Sequence, residues 1–375
     1  MILKESRELE WIQQLRIRYP YTNPTLIEKA IRAFSLLEAL AVSGCPFVFK
    51  GGTALMLHMN SAKRISIDVD IICEPGTNVI GYLNKTAQEY GFGEVVSGVR
   101  VSRTNVPKTH AKCYYSVSYR TNPLLLAEEE EEKILLDVLF DEVEYQELVK
   151  KPIESPFLLS DGNPVLVNMP SLMDILGDKM TAFAPNTTGI PYYKDKKRCS
   201  MEIIKQLFDV ASIFDQTTDL EVAKNTFSRI VPVELAYRDK QMLSETEVLN
   251  DIMNVSRIIC TWGYDDAFQY GELSDGVGRV RDFIHSERYN YDGAVVSASK
   301  AAYLAALTLT GKNEVLHFDP QMNLSEVTLS DAVDPKLKRL KKYRPEAFFY
   351  WSQVDTLLKQ YGIWSKAKQS LASLD

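Results

Sequence analysis

From Arg64 to Cys73 the chain reads Arg-Ile-Ser-Ile-Asp-Val-Asp-Ile-Ile-Cys, so two carboxylates interrupt an otherwise apolar, β-branched run. This pattern predicts a strand. Residues two apart on a strand project from one face, which aims Asp68 and Asp70 the same way, roughly 7 Å apart at Cα. Two bare carboxylates on one face of a buried strand repel each other, and their desolvation is costly unless something cationic lies between them. A pair of Mg²⁺ ions meets that demand, because Mg²⁺ takes one or two carboxylates and completes its shell with water and phosphate oxygens. Solvated aspartates at a strand edge, or an ion pair with Arg64, would satisfy the same residues without metal.

The preceding segment narrows the choice. Phe47-Val48-Phe49 predicts a short strand that runs into Lys50-Gly51-Gly52-Thr53 and then a helix-prone Ala54-Leu55-Met56-Leu57. Glycines let backbone N–H groups approach an oxyanion closely, and a helix N-terminus favours negative charge. Gly51, Gly52 and the Thr53 hydroxyl therefore suit the β- and γ-phosphates of a nucleoside triphosphate. No GxxxxGK[ST] occurs in the chain, and no GxGxxG follows a strand, which excludes a P-loop and a dinucleotide fingerprint. A strand–Gly-Gly–helix unit alone is commonly only a tight turn. Here fourteen residues separate Thr53 from Asp68, which puts the Asp-x-Asp on the next strand.

Elsewhere the pattern predicts an α+β fold: a mixed-sheet domain with flanking helices over residues 1–152, then a mainly helical domain over 153–375. Pro24 to Ser43 reads as an amphipathic helix, with Ile27, Ala30, Ile31, Phe34, Leu37 and Ala41 at helical spacing and Asn23 or Thr22 as cap. A helix is expected over Thr77–Tyr90, and strands over Tyr114–Tyr119 and Ile134–Phe140. Glu128–Glu132 reads as a solvated turn or frayed helix. Ser171 with Asp174 three residues on resembles a capping box built with the shorter acid.

The formal net charge of −7 gives no overall attraction for polyanions, so any nucleic-acid contact must come from local basic patches. Two exist: Lys194, Lys196, Lys197 and Arg198, and Lys336, Lys338, Arg339, Lys341, Lys342 and Arg344, the latter followed by Phe348, Phe349, Tyr350 and Trp351. Basic residues near aromatics suit an RNA backbone and base stacking; a charged solvated helix beside a core anchor is the competing reading. The five cysteines form no CxxC pair and only four histidines are present, which argues against structural zinc and a disulfide framework. The first twenty residues carry charges throughout, and no apolar run reaches membrane-span length, so a cytoplasmic enzyme is expected.

The stretch KGGTALMLHMNSAKRISIDVDI resembles the signature of DNA polymerase β-like nucleotidyltransferases, and its Lys-Gly-Gly-Thr-Ala-Leu and Arg64-x-Ser66-x-Asp68-x-Asp70 are similar to the AbiEii/AbiGii toxin group. The resemblance implies a third carboxylate from a later strand, which Asp137 matches, with Asp141 as the alternative. It also implies a helical lysine, matched by Lys179 in Ile175-Leu176-Gly177-Asp178-Lys179, and a downstream aspartate, matched by Asp209 in Leu207-Phe208-Asp209-Val210. Where the group often carries Arg-Asp before that aspartate motif, this chain has Lys205-Gln206.

The roles implied are two Mg²⁺ ions on Asp68, Asp70 and Asp137, phosphates on Gly51, Gly52, Thr53 and Lys179, and Asp209 positioning the lysine or the nucleotide. The implied reaction transfers NMP from an NTP to an RNA (tRNA included) or a protein hydroxyl, as the toxin of a toxin–antitoxin or abortive-infection system with a cognate antitoxin. A small-molecule, antibiotic-type nucleotidyltransferase and a catalytically silent partner-binding protein are the alternatives.

Overall fold

In the computed structural model, residues 1–20, 22–59, 63–100, 108–118 and 131–362 are described. The chain divides into two compact units, Met1–Ile175 with Asp282–Arg288, and Leu176–Arg281 with Tyr289–Asp375. In sequence, the division falls later than residue 152. Strands β6 (Leu148–Pro152) and β7 (Leu166–Pro170) pair antiparallel, which keeps the residues just beyond 152 with the first unit.

The first unit begins with α1 (Leu9–Arg18) and α2 (Pro24–Val42). The Asn23 side chain accepts from Thr25 N at 3.0 Å and Pro24 fills the first turn, where its missing N–H would have had no partner. Ile27, Ala30, Ile31, Phe34 and Leu37 are fully buried, while Ala41 is half-buried. Complete burial of one such large side chain is worth about 1.5–3 kcal/mol, so this helix is a core element rather than a surface one. After it come β1 (Val48–Lys50), α3 (Gly51–His58), β2 (Val69–Cys73) and α4 (Val79–Leu83). The remaining sheet strands are β3 (Val95–Arg100), β4 (Lys108–Ser116) and β5 (Glu131–Phe140).

The sheet order is β1-β2-β5-β4-β3, with β2 and β5 parallel and every other neighbour antiparallel. Val69, Ile71, Leu136 and Val138 fill one face and are buried. α2 packs against β2 and β5. Register is therefore tightly specified, since a one-residue slip would turn those side chains to the opposite face.

Three expectations change. The strand expected from Arg64 starts its ladder only at Val69; before it, Arg64 forms an isolated antiparallel bridge with Ile284, and Ile65 N donates to Phe283 O at 2.7 Å. The helix expected over Thr77–Tyr90 is only Val79–Leu83, capped by Asn78 on Gly81 N, and it unwinds into turns up to Gly91. Of the glutamate run, Glu131 and Glu132 open β5, Glu132 pairing with Lys29 at 2.9 Å; residues 128–130 lie outside the described residues, as does Tyr119 of the expected strand.

The division between units falls inside α5 (Leu172–Ala182). The second unit continues with a hairpin of β8 (Tyr193–Lys194) and β9 (Lys197–Arg198), then α6 (Ser200–Phe214), α7 (Glu221–Ala236), α8 (Glu245–Cys260) and α9 (Ala267–Val280). It ends with α10 (Tyr291–Leu309), α11 (Leu340–Tyr343) and α12 (Pro345–Gln360). α10 is the axis of this unit. Its Ala294, Ala298, Ala302, Ala305 and Ala306 are fully buried, small enough to bring α6, α8 and α12 close around it.

At the start of α5 the Ser171–Asp174 cap is present in altered form. Ser171 Oγ accepts from Asp174 N at 3.1 Å and donates to Asp174 Oδ2 at 2.7 Å. The fully buried carboxylate also accepts from Gln146 N at 2.8 Å and Glu147 N at 3.1 Å, so it ties the helix start to the chain that enters β6. Removing a buried acceptor leaves each donor with a desolvation penalty of about 1–3 kcal/mol. We predict that Asp174→Ala destabilises the fold by about 3 kcal/mol and Asp174→Asn by less, read as shifts in denaturant midpoint.

Candidate active site

Gly51 follows β1 and opens α3 with φ of +83°, a left-handed conformation that only glycine adopts without strain. A Cβ placed there would lie 3.0 Å from Asp70 Cγ and closer still to its Oδ2. The turn is thus pressed directly onto a carboxylate. Gly52 meets different neighbours: its Cβ would fall 2.7 Å from Ser66 Oγ and 2.8 Å from Arg64 Nη2. Thr53 is fully buried and its hydroxyl donates to the Asp68 carbonyl at 2.5 Å. That bond ties α3 to the chain entering β2, so the single O–H of Thr53 serves to position rather than to face a ligand. At the far end of α3, His58 Nε2 hydrogen-bonds to Pro170 O at 2.8 Å, and burial holds its imidazole below the ordinary range.

Asp70 stands in register with Lys50 on one side and Asp137 on the other. Neighbouring strands lie about 4.8 Å apart and register partners share a face, so the Asp70 and Asp137 carboxylates are adjacent. Both are half-buried. Asp68 is exposed and precedes the ladder by one residue. Asp141 falls after the last residue of β5, where its carboxylate accepts from Glu142 N at 2.9 Å, so Asp137 and not Asp141 sits beside Asp70.

Among the described residues no group of three or more His, Cys, Asp and Glu side chains is gathered closely enough to hold a metal ion. The donor set nevertheless fits Mg²⁺, an ion that takes one or two carboxylates from a protein and the rest from water and phosphates.

In the helical unit, Lys179 on α5 and Asp209 on α6 are both buried and form an ion pair at 3.0 Å. Lys179 Nζ also donates to Gln206 Oε1 at 2.9 Å. Gln206 is a residue that motif reading passes over; its signal was its place three before Asp209, on the same face of α6. Gly177 explains how α5 is held, because a Cβ there would lie 3.0 Å from Phe227 N and closer to Ala223 O, where α5 meets α7.

The two basic stretches differ. Asp195 and Lys196, both at positive φ (48° and 64°), make the two-residue type I′ turn of the β8–β9 hairpin. Its base is anchored: Tyr193 OH donates to Glu272 at 2.7 Å, and Arg198 pairs with Glu272 at 3.0 Å and Asp275 at 3.1 Å. Lys194, Lys196 and Lys197 are exposed and have no ion pair with any described residue. In the C-terminal stretch, Lys341 donates to Ser325 O at 2.6 Å and Val327 O at 2.9 Å, Lys338 pairs with Asp331 at 3.1 Å, Arg344 pairs with Asp292, and Lys336 lies over the Tyr264 ring. Phe348, Phe349, Tyr350 and Trp351 are buried core residues and present no stacking surface.

Gly51→Ala would combine a positive-φ penalty with a Cβ driven into Asp70. Conformations of that kind cost about 1–3 kcal/mol, and relief requires the carboxylate to move. We predict lowered thermal stability together with loss of nucleotide transfer, measured by melting and by a labelled-NTP assay.

No curated protein sequence matches the chain significantly. Among solved structures, a crystal structure from H. pylori described as a candidate nucleotidyltransferase matches at 14% identity and a TM-score of 0.41, over 75% of this chain and 95% of that one, a likeness from which neither fold nor activity follows. The family model for the nucleotidyl transferase AbiEii toxin of type IV toxin–antitoxin systems matches residues 35–266, which is more than half of the chain and includes the glycine turn, all three aspartates, Lys179 and Asp209. The chain is therefore a nucleotidyltransferase and belongs to the AbiEii toxin family.

Proposed function

We propose that this enzyme transfers a nucleoside monophosphate from an NTP to a hydroxyl of RNA, tRNA included, and uses Mg²⁺ to do so. The observation that carries the reading is the register-adjacent pair Asp70 and Asp137, with the Gly51 turn pressed on Asp70. Asp68, Asp70 and Asp137 would hold the metal. When bound, a divalent ion supplies charge neutralisation on the triphosphate and acidifies a coordinated hydroxyl.

The chain's own groups do the rest. Backbone N–H groups at the first turn of α3 have no intrahelical partner and favour an anion, so they orient the β- and γ-phosphates. Asp137 accepts the proton of the attacking acceptor hydroxyl. The new bond forms between that oxygen and the α-phosphorus, and the bond to the bridging oxygen breaks to release pyrophosphate. Lys179 takes the part that the sequence resemblance assigns it, neutralising phosphate charge, and Asp209 holds it at 3.0 Å.

RNA is favoured over a small-molecule acceptor because the β8–β9 hairpin presents three lysines without acidic partners among the described residues. A cytosolic setting and a cognate antitoxin complete the reading, both carried by family membership. Among the described residues no helix is long and apolar enough to cross a membrane.

The test is to incubate the protein with Mg²⁺, each labelled NTP, and total RNA or total protein. Label should enter RNA. Asp70→Asn and Asp137→Asn should each lower incorporation by at least roughly the hundredfold that even an outer-shell loss can reach at a metal site, with melting unchanged or slightly raised as like-charge repulsion is relieved. Incorporation at wild-type rates by a well-folded Asp70→Asn protein would overturn the site assignment.

For the hairpin, the triple change Lys194→Gln, Lys196→Gln, Lys197→Gln should leave melting unchanged and weaken RNA binding. Every lysine that no longer neutralises a phosphate of a single strand flattens the log–log salt dependence by about 0.7, so a drop of about 2 in slope is expected from salt titrations.

A further inference from the structure

The basic flank of the glycine turn is a feature that the two-carboxylate reading leaves unused. Arg64 is only 7% exposed, although arginine is rarely buried without a reason. Its Nη1 donates to Ile65 O at 3.1 Å, and its Nη2 and the Ser66 hydroxyl converge on Gly52, 2.8 and 2.7 Å from where a Cβ would sit. The backbone around it is fixed by a distant segment that belongs to the same unit: Arg64 bridges to Ile284, Ile65 N donates to Phe283 O at 2.7 Å, and His285 N donates to Lys63 O at 3.3 Å. His285 in turn packs edge-on against Tyr19 and Phe157, with ring centroids 5.4 and 5.6 Å away. The guanidinium is therefore held by both its own hydrogen bond and an anchored backbone.

Gly52 lies in the first turn of α3, the positive end of a helix, where an anion is favoured. The turn therefore has two unlike flanks, a carboxylate against Gly51 and a guanidinium with a hydroxyl against Gly52. A metal–triphosphate complex needs both kinds of group: carboxylates for the cations, and donors for the phosphate oxygens that the cations leave uncovered. A planar guanidinium matches two oxygens of one phosphate.

We infer that Arg64 binds the terminal phosphates of the nucleotide and is the residue by which this site selects triphosphates over monophosphates. The inference rests on the nucleotidyltransfer reading above and adds to it the group that recognises the leaving pyrophosphate. Arg64 performs no bond-making step. Its contribution is affinity for the β- and γ-phosphates and their alignment opposite the attacking hydroxyl.

The experiment compares equilibrium binding of each NTP, the matching NMP and inorganic pyrophosphate to the full chain in Mg²⁺, for wild type, Arg64→Met and Arg64→Lys. Arg64→Met should weaken NTP and pyrophosphate binding at least tenfold and leave NMP binding within about twofold, and Arg64→Lys should recover part of the loss. In the transfer assay, KM for NTP should rise by the same factor. Equal losses for NTP and NMP, or no loss in a variant that melts like wild type, would overturn the inference. Should Arg64→Met fail to fold, Arg64→Lys and Gly52→Ala carry the test. The latter pushes a Cβ at the guanidinium without removing it, and should likewise lower the triphosphate-to-monophosphate ratio; an unchanged ratio in both would overturn the inference. A wild-type protein that binds no nucleotide would instead overturn the reading on which it rests.

Discussion

The close approach of Gly51 to Asp70 is the contact on which the candidate site depends. It requires a backbone at positive φ, an absent side chain, and a β2 strand held in one register between β1 and β5. The register is fixed from behind, by Val69, Ile71, Leu136 and Val138 in the core, so the polar face inherits its geometry from the apolar one. Two carboxylates side by side are unfavourable by themselves. The strand pairing sets Asp70 beside Asp137 on one side and Lys50 on the other, so the charges of this face are placed by register.

The helical unit treats charge differently. Lys179 and Asp209 are taken almost wholly out of water, and Gln206 supplies a further acceptor. Buried ion pairs contribute little net stability, because desolvation offsets attraction, while removal of one partner strands the other. Such a pair is therefore better understood as a device for fixing where an ammonium group lies. Gly177 serves the same end by letting α5 approach the α7 backbone.

Two basic stretches of similar composition are used differently. In the hairpin, the anchoring is done by Tyr193 and Arg198, which leaves three lysines facing solvent on a turn of defined geometry. In the C-terminal stretch, carbonyls, carboxylates and an aromatic ring occupy Lys336, Lys338, Lys341 and Arg344, while Arg339 and Lys342 stay exposed, and the adjoining aromatics build the core around α10. Charge density in the sequence does not distinguish these cases; what each charge touches does.

Features that depend on neighbours along the chain were legible in the sequence. The cap and apolar spacing marked α2 to within a residue, the strand–glycine–helix unit marked β1 and α3, and the apolar run marked β2 with Asp70, though Asp68 falls just before its ladder. Ser171 and Asp174 announced the start of α5, yet the carboxylate went to Gln146 and Glu147 as well as to its own cap. What the sequence left open was every choice of distant partner. The ladder of β2 starts late because residues 63–65 pair with 283–286, a segment separated from them by most of the chain. Asp137 rather than Asp141 flanks Asp70 because strand register, not proximity to an apolar run, decides which residues adjoin. Gln206 gained its role only from the packing of α6 on Lys179, and the aromatic run went to the core instead of the surface. Periodicity and capping are properties of a few consecutive residues, so they can be read directly. Pairing and burial are settled by competition among all segments for the same hydrogen bonds and the same apolar surface, and that competition is resolved only in the folded chain.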